Sequence, residues 1–186
     1  MGAYYSSELG ALRPEEVTAL SENVNFSPKE IQTLYVRFQK LDRSGTGVIC
    51  RDSLLKIPEL AMNPLVDRIV NIFETDEEGN ITFTSFLSCL SCLSINSSLS
   101  EKLSAAFRVY DANNDGYVSA DEVFEILSQM VGSNMSEDQI RRVSNDTVKA
   151  AASDGQRMSR DDFNQLFQDR GDEINSVFGV KIVTIE

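Results

Sequence analysis

Residues 111–122 read DANNDGYVSADE, and no other stretch of the chain restricts the fold as tightly. Asp111, Asn113 and Asp115 stand at alternate positions, Gly116 follows where the chain must turn sharply, and Glu122 closes the stretch at the twelfth position. This is the pattern that gathers oxygen donors around one hard cation: the side chains of Asp111, Asn113 and Asp115, the Tyr117 carbonyl, Ser119 through a water, and both oxygens of Glu122. Magnesium needs shorter bonds and a stricter octahedron, so the spacing predicts calcium. The flanks agree with the loop. Leu103, Phe107 and Tyr110 before it, and Val123, Phe124, Leu127 and Met130 after it, recur at the spacing of one helical face.

The same frame recurs three more times. Helices are predicted over Pro14–Leu20, from the Ser27-Pro28-Lys29-Glu30 capping box through Ile31, Leu34, Tyr35, Phe38 and Leu41, from Asn63-Pro64 through Leu65, Ile69, Ile72 and Phe73, from Ser100, and from Ser136 with Gln139 as its box partner. Each of the last four runs into a loop rich in Gly, Asp, Asn or Ser. Beyond the loops the apolar period resumes at Leu54, Leu55 and Ile57, at Phe86, Leu90 and Leu93, and at Phe163, Leu166 and Phe167. A helix–loop–helix unit repeated four times, each too small to bury its apolar face alone, predicts an all-α fold with the units paired in two lobes. Paired loops share a short antiparallel ribbon through their eighth residue, so Ile49 should face Ile81 and Val118 should face Met158. The limits follow: an N-terminal segment 1–25, a lobe over 26–93, a Ser-rich linker 94–100, a second lobe over 101–171, and an apolar tail 172–186.

Three of the four loops keep the frame and lose the ligands. In 42–53 (DRSGTGVICRDS), Ser44, Thr46 and Ser53 replace the amide or carboxylate groups a cation needs, and no glutamate closes the loop. The loop 74–85 (ETDEEGNITFTS) retains Asp76, Glu78 and Gly79 but opens on Glu and closes on Ser, which leaves room only for weak binding. The fourth, from Ala152, is one residue short and has Ala where the first ligand belongs. One calcium site is therefore expected.

Composition narrows the function further. Asp plus Glu number 29 against 17 Lys plus Arg, a net charge of −12 that repels a phosphate backbone and excludes nucleic acid as partner. The chain has no histidine, which removes imidazole bases, Ser-His and Cys-His nucleophile pairs, and imidazole zinc ligands; an enzyme is not expected. Cys50, Cys89 and Cys92 are an odd set with no disulfide framework, fitting a reducing, cytoplasmic setting, and Cys89-x-x-Cys92 lacks the ligands to complete a zinc centre, so both read as small buried side chains. There is no secretory signal and no apolar run long enough to span a bilayer. Met1-Gly2-Ala3-Tyr4-Tyr5-Ser6 fits the pattern for myristate on Gly2, and a single such chain gives only marginal membrane contact.

The segments FSPKEIQTLYVRFQKLD and IPELAMNPLVDRIVNIF, within 26–73, and LSAAFRVYDANNDGYVSADEVFEILSQMVG, 103–132, resemble calcineurin B, the regulatory subunit of a calcium-dependent Ser/Thr phosphatase, and the related calcineurin B homologous proteins. The resemblance covers most of the chain, Gly2 included. It implies four EF-hands in two lobes and an apolar groove that holds a long helix of a partner. That partner is the phosphatase catalytic subunit or, for the homologous proteins, a sodium/proton exchanger tail at the membrane, with calcium then only structural. The compact link 94–100 is closer to calcineurin B, whereas one intact loop departs from its four.

The residues themselves point to a helix-binding groove. Phe86, Leu90, Phe107, Phe124, Leu127, Met130, Phe163 and Phe167 supply more apolar helix surface than two small lobes need, and calcium at the third loop would open a helix pair to expose more of it. Five methionines are too few for a promiscuous groove, which favours one dedicated partner. The tail 174–185 (INSVFGVKIVTI) either covers the groove or completes the second lobe.

Overall fold

A computed structural model describes residues 12–94 and 96–168; Gly2 and the apolar tail lie outside the described residues. Helical structure dominates, with two short antiparallel ribbons, as the repeat predicts. The described residues fall into two units: 12–61 with 73–94 and 96–97, and 62–72 with 98–168.

In the first unit, α1 (Pro14–Ser21) packs along α2 (Pro28–Leu41), and the Gln32 amide binds both main-chain groups of Leu12, donating to its carbonyl at 2.9 Å and accepting from its N–H at 3.3 Å. The α2 capping box forms as expected: the Glu30 N–H donates to Ser27 Oγ, and Glu30 Oε2 accepts from the Ser27 N–H at 2.7 Å. Strand β1 (Val48–Ile49) follows the first loop. A continuous helix through Leu55 and Ile57 does not form, because Pro58 disfavours the helical conformation at the residue before it; α3 (Arg51–Leu54) stops, and a single turn, α4 (Pro58–Ala61), follows. Leu54 and Leu60 are fully buried, while Leu55 is exposed. Strand β2 (Ile81–Thr82) pairs with β1, Ile49 facing Ile81, and leads into α6 (Phe83–Cys92). The core is aromatic: Phe38 meets Phe83 and Phe86 at 5.4 and 5.5 Å, and Phe73 stacks on Phe86 at 6.1 Å. Each such buried ring contributes about 1.5–3 kcal/mol by leaving water.

In the second unit, α5 (Val66–Asn71) begins two residues later than Pro64, after a turn in which Asn63 Oδ1 accepts the Leu65 N–H at 2.8 Å. Although α5 was expected in the 26–93 lobe, it packs on α7 (Leu99–Tyr110). The two helices exchange caps. Arg68, buried on α5, donates to the last carbonyls of α7, Val109 at 3.1 Å and Tyr110 at 3.3 Å, and pairs with Glu125; Arg108 on α7 donates to the Ile72 carbonyl at 2.7 Å. A guanidinium at a helix C-terminus meets carbonyls that have no partner within the helix and complements the negative dipole end. Helix α7 starts before Ser100 because Ser98 and Glu101 form a capping box, Ser98 N–H to Glu101 Oε2 at 2.7 Å. Then come β3 (Tyr117–Val118), α8 (Ala120–Val131), a 3₁₀ turn at Gly132–Asn134, α9 (Glu137–Ala151) with its Ser136–Gln139 cap, β4 (Met158–Ser159) and α10 (Arg160–Phe167). Val118 faces Met158 across the second ribbon, both buried.

Candidate functional site

The third loop hangs between α7 and α8, its first residue fixed by the Asp111 N–H donating to the Phe107 carbonyl at 2.8 Å. Asp111 organises the turn. Its Oδ1 accepts the Asp115 N–H at 3.1 Å and its Oδ2 the Gly116 N–H at 3.0 Å, while Asn113 Oδ1 accepts from Asp115 at 2.9 Å and Asp115 Oδ1 from Tyr117 at 2.9 Å. The backbone accommodates this by entering the left-handed region at Asn114, φ +55°, and Gly116, φ +84°; an asparagine tolerates such a conformation and a glycine adopts it without strain. Glu122 is held from the other side, accepting the Ala112 N–H at 3.0 Å, the Ser119 N–H at 2.8 Å and the Ser119 hydroxyl at 2.7 Å.

Asp111 and Glu122 are buried, 6% and 8% exposed, with amide and hydroxyl dipoles around them and no basic side chain among the described residues bonded to either. Burying a carboxylate without a countercharge is costly. Both Asp111 oxygens and Glu122 Oε1 accept one hydrogen bond each and keep a further lone pair, whereas Glu122 Oε2 is engaged twice, by the Ser119 N–H and hydroxyl. The donor set is all oxygen: Asp111, Asn113, Asp115, Ser119 and Glu122 side chains with the Tyr117 carbonyl. This fits a hard divalent cation such as calcium and offers nothing to a thiophilic one. Among the described residues no three acidic or thiol side chains converge on one point. In this loop Glu122 also completes the capping box of α8 with Ser119.

The first loop closes in the same way. Asp42 Oδ2 accepts the Gly47 N–H at 2.7 Å, and its Oδ1 accepts the Thr46 N–H and the Ser44 hydroxyl. Burial raises the Asp42 carboxyl, but the Gly47 N–H, the Ser44 hydroxyl and the Thr46 N–H together bring it below the usual range. Its twelfth residue, Ser53, reaches the Cys50 thiol at 3.4 Å, a contact that also holds that thiol below its ordinary pKa. In the second loop the organising side chain is Asp76, third in order, which accepts from Glu78 and Asn80 at 3.0 and 2.8 Å.

The fourth loop contains two residues that the sequence pattern did not single out. Asp162 occupies the closing position and accepts the Ser159 N–H at 2.9 Å, the Ser159 hydroxyl at 2.7 Å, the Ser153 N–H at 3.2 Å and the Ser153 hydroxyl. The Ser153 hydroxyl first, then that of Ser159, bring its carboxyl from 3.8 to about 2. Counting on from Met158 in its ribbon register would have found Asp162. The other is Arg157, whose guanidinium reaches across to the third loop; nothing in the sequence spacing signals that contact.

Half of the expected groove residues are core. Phe86, Leu90, Phe107 and Phe163 are buried at 2% exposure or less, because rings at the centre of each unit pack on one another: Phe163 meets Phe107 at 5.5 Å and Tyr110 at 5.3 Å. Phe124, Leu127 and Phe167 are half-buried and Met130 is exposed. Phe124 lies under the Arg141 guanidinium at 4.2 Å. Cys89 and Cys92 are half-buried rather than buried, since they flank the stripe of α6 that buries Phe86, Leu87 and Leu90; no disulfide joins the described cysteines.

Comparison with known proteins agrees with this geometry. Residues 100–168 match the family described as an EF-hand domain pair. The chain is 43% identical over 145 residues to the calcineurin B subunit of Naegleria gruberi, covering 78% of this chain and 82% of that one. It is 38% identical over 144 residues to the type 2 calcineurin B subunit of Dictyostelium discoideum (77% and 79%), and 35% identical over 137 residues to the type 1 protein of the same organism (74% and 76%). The likeness thus spans both units, and the chain belongs to the calcineurin B family of EF-hand proteins.

Proposed function

We propose that this protein is a calcium-binding, non-catalytic regulatory subunit that holds an amphipathic helix of a Ser/Thr phosphatase catalytic subunit. The observation carrying this reading is the third loop of a calcineurin B relative, closed on Asp111 and Glu122 with an all-oxygen donor set. Asp111, Asn113, Asp115, Tyr117, Ser119 and Glu122 would hold one calcium ion, which supplies the positive charge that the two buried carboxylates lack. The residues of the chain do the rest. Asp111 and Glu122 tie the end of α7 to the start of α8, so any change in how their oxygens are engaged is transmitted to the angle between those helices. Phe124, Leu127, Met130 and Phe167, left partly exposed by the core, are the apolar positions available to a partner helix.

The other three loops depart from this pattern at their first or twelfth position, which supports a single firm site. Calcium titration should give one site per chain, lost in Glu122→Gln; two or more firm sites would overturn the count. Affinity purification from the native cell should recover a phosphatase catalytic subunit; recovery of an exchanger tail instead would move the protein to the membrane-adaptor branch of the family. Acylation of Gly2 and a cytoplasmic location with weak membrane contact complete the proposal, tested by intact mass and by comparison of the wild type with Gly2→Ala in cell fractionation.

A further inference from the structure

The fourth loop, which lacks a first ligand, nevertheless sends a positive charge into the third. Arg157 Nη1 donates to Asp115 Oδ2 at 3.2 Å, and its guanidinium lies over the Tyr117 ring at 4.2 Å from the centroid. Both partners belong to the loop that carries the calcium pattern, at its fifth and seventh positions. Asp115 Oδ1 accepts the Tyr117 N–H and Oδ2 accepts the Asn113 amide at 3.3 Å, so each oxygen keeps one lone pair for a cation, that of Oδ2 included. The guanidinium is well placed to occupy it. The Arg157 N–H is anchored to Asp154 Oδ1 at 2.9 Å, and the residue directly precedes β4, whose pairing with β3 fixes the distance between the two loops. A planar cation stacked on a ring and bonded to a carboxylate loses little freedom on binding, and it never gives up its charge.

We infer that Arg157 is an internal competitor for the third loop: its guanidinium holds Asp115 Oδ2 against calcium, so the ligand-poor fourth loop sets the calcium affinity of its partner. This rests on the third loop being the calcium loop. The pair is half-exposed, at 46% and 39%, so its effect is that of a surface ion pair and should be small, graded and sensitive to salt.

The test is a calcium titration of the full chain against a chromophoric chelator at low salt, for the wild type, Arg157→Gln, Arg157→Lys and Glu122→Gln. Arg157→Gln should bind calcium about two- to fivefold more tightly than the wild type. Arg157→Lys, which keeps the charge, should stay near the wild type, and the gain should vanish near 1 M salt, where the screening length is about 3 Å. Unchanged or weaker binding in Arg157→Gln, or a gain that persists unchanged at high salt, would overturn the inference. Glu122→Gln separates it from the reading beneath: if that variant binds calcium like the wild type, the assignment of the third loop is what fails.

Discussion

The third and fourth loops carry the same devices at the same places and differ in what their closing carboxylate meets. In both, a serine three residues earlier caps the outgoing helix and binds that carboxylate through its N–H and hydroxyl, Ser119 with Glu122 and Ser159 with Asp162. In both, the eighth residue of the frame, Val118 or Met158, is buried in the shared ribbon. Across the loop they part. Glu122 looks to the Ala112 N–H, beside a ring of further oxygens, whereas Asp162 is satisfied by the N–H and hydroxyl of Ser153, with an alanine before it. The hand is therefore specified by caps, turn residues and ribbon, and metal binding by a separate count of oxygens. A loop can lose the second and keep the first, because each device in the first group is satisfied within the chain.

The largest effect should come from Phe163→Ala. Phe163 follows the fourth loop but packs on Phe107 and Tyr110, just ahead of the third, so its loss should cost about 3–5 kcal/mol in urea unfolding and weaken calcium binding with it. Unchanged calcium affinity in the folded variant would mean the two hands do not depend on each other. Glu122→Gln should come next, abolishing firm calcium binding at the third loop in a calcium titration while the helix content of the chain without calcium changes little. The matching change Asp162→Asn should leave calcium stoichiometry untouched and act on stability alone. Its pH dependence has a definite sign: the Asp162 carboxyl falls from 3.8 to about 2 on folding, so its contribution is present above about pH 4 and is lost as pH drops toward 2. The difference between the unfolding midpoints of the wild type and Asp162→Asn should close over that window; a constant gap would break the comparison. The smallest effect is expected from Ser136→Ala, which removes the cap of α9 and should cost about 1 kcal/mol with no change in calcium affinity, read by thermal unfolding.

Much of this was legible one residue at a time. Ser27 with Glu30, Ser136 with Gln139, the Asp111–Glu122 spacing and the pairings Ile49–Ile81 and Val118–Met158 are local or periodic signals, and each requires only its own neighbours or its partner in the repeat to form. The break at Pro58 and the start of α7 at Ser98 were also written locally, in a proline and in a second capping box, and were overrun by the apolar period.

What the chain order could not supply is which apolar and charged groups meet. Phe86, Leu90, Phe107 and Phe163 carry the same helical spacing whether they fill a core or line a groove, and only packing separates them from Phe124, Leu127 and Met130. The exchange of caps between Arg68 and Arg108, and the reach of Arg157 to Asp115, join residues far apart in the chain whose sequence surroundings give no sign of each other. The sequence by itself determined the four hands, their ribbons and the oxygen count of each loop, since those depend on short-range hydrogen bonding and period. The tertiary structure decided which rings are interior and which cation sits beside the third loop, because burial and charge pairing are properties of surfaces brought together.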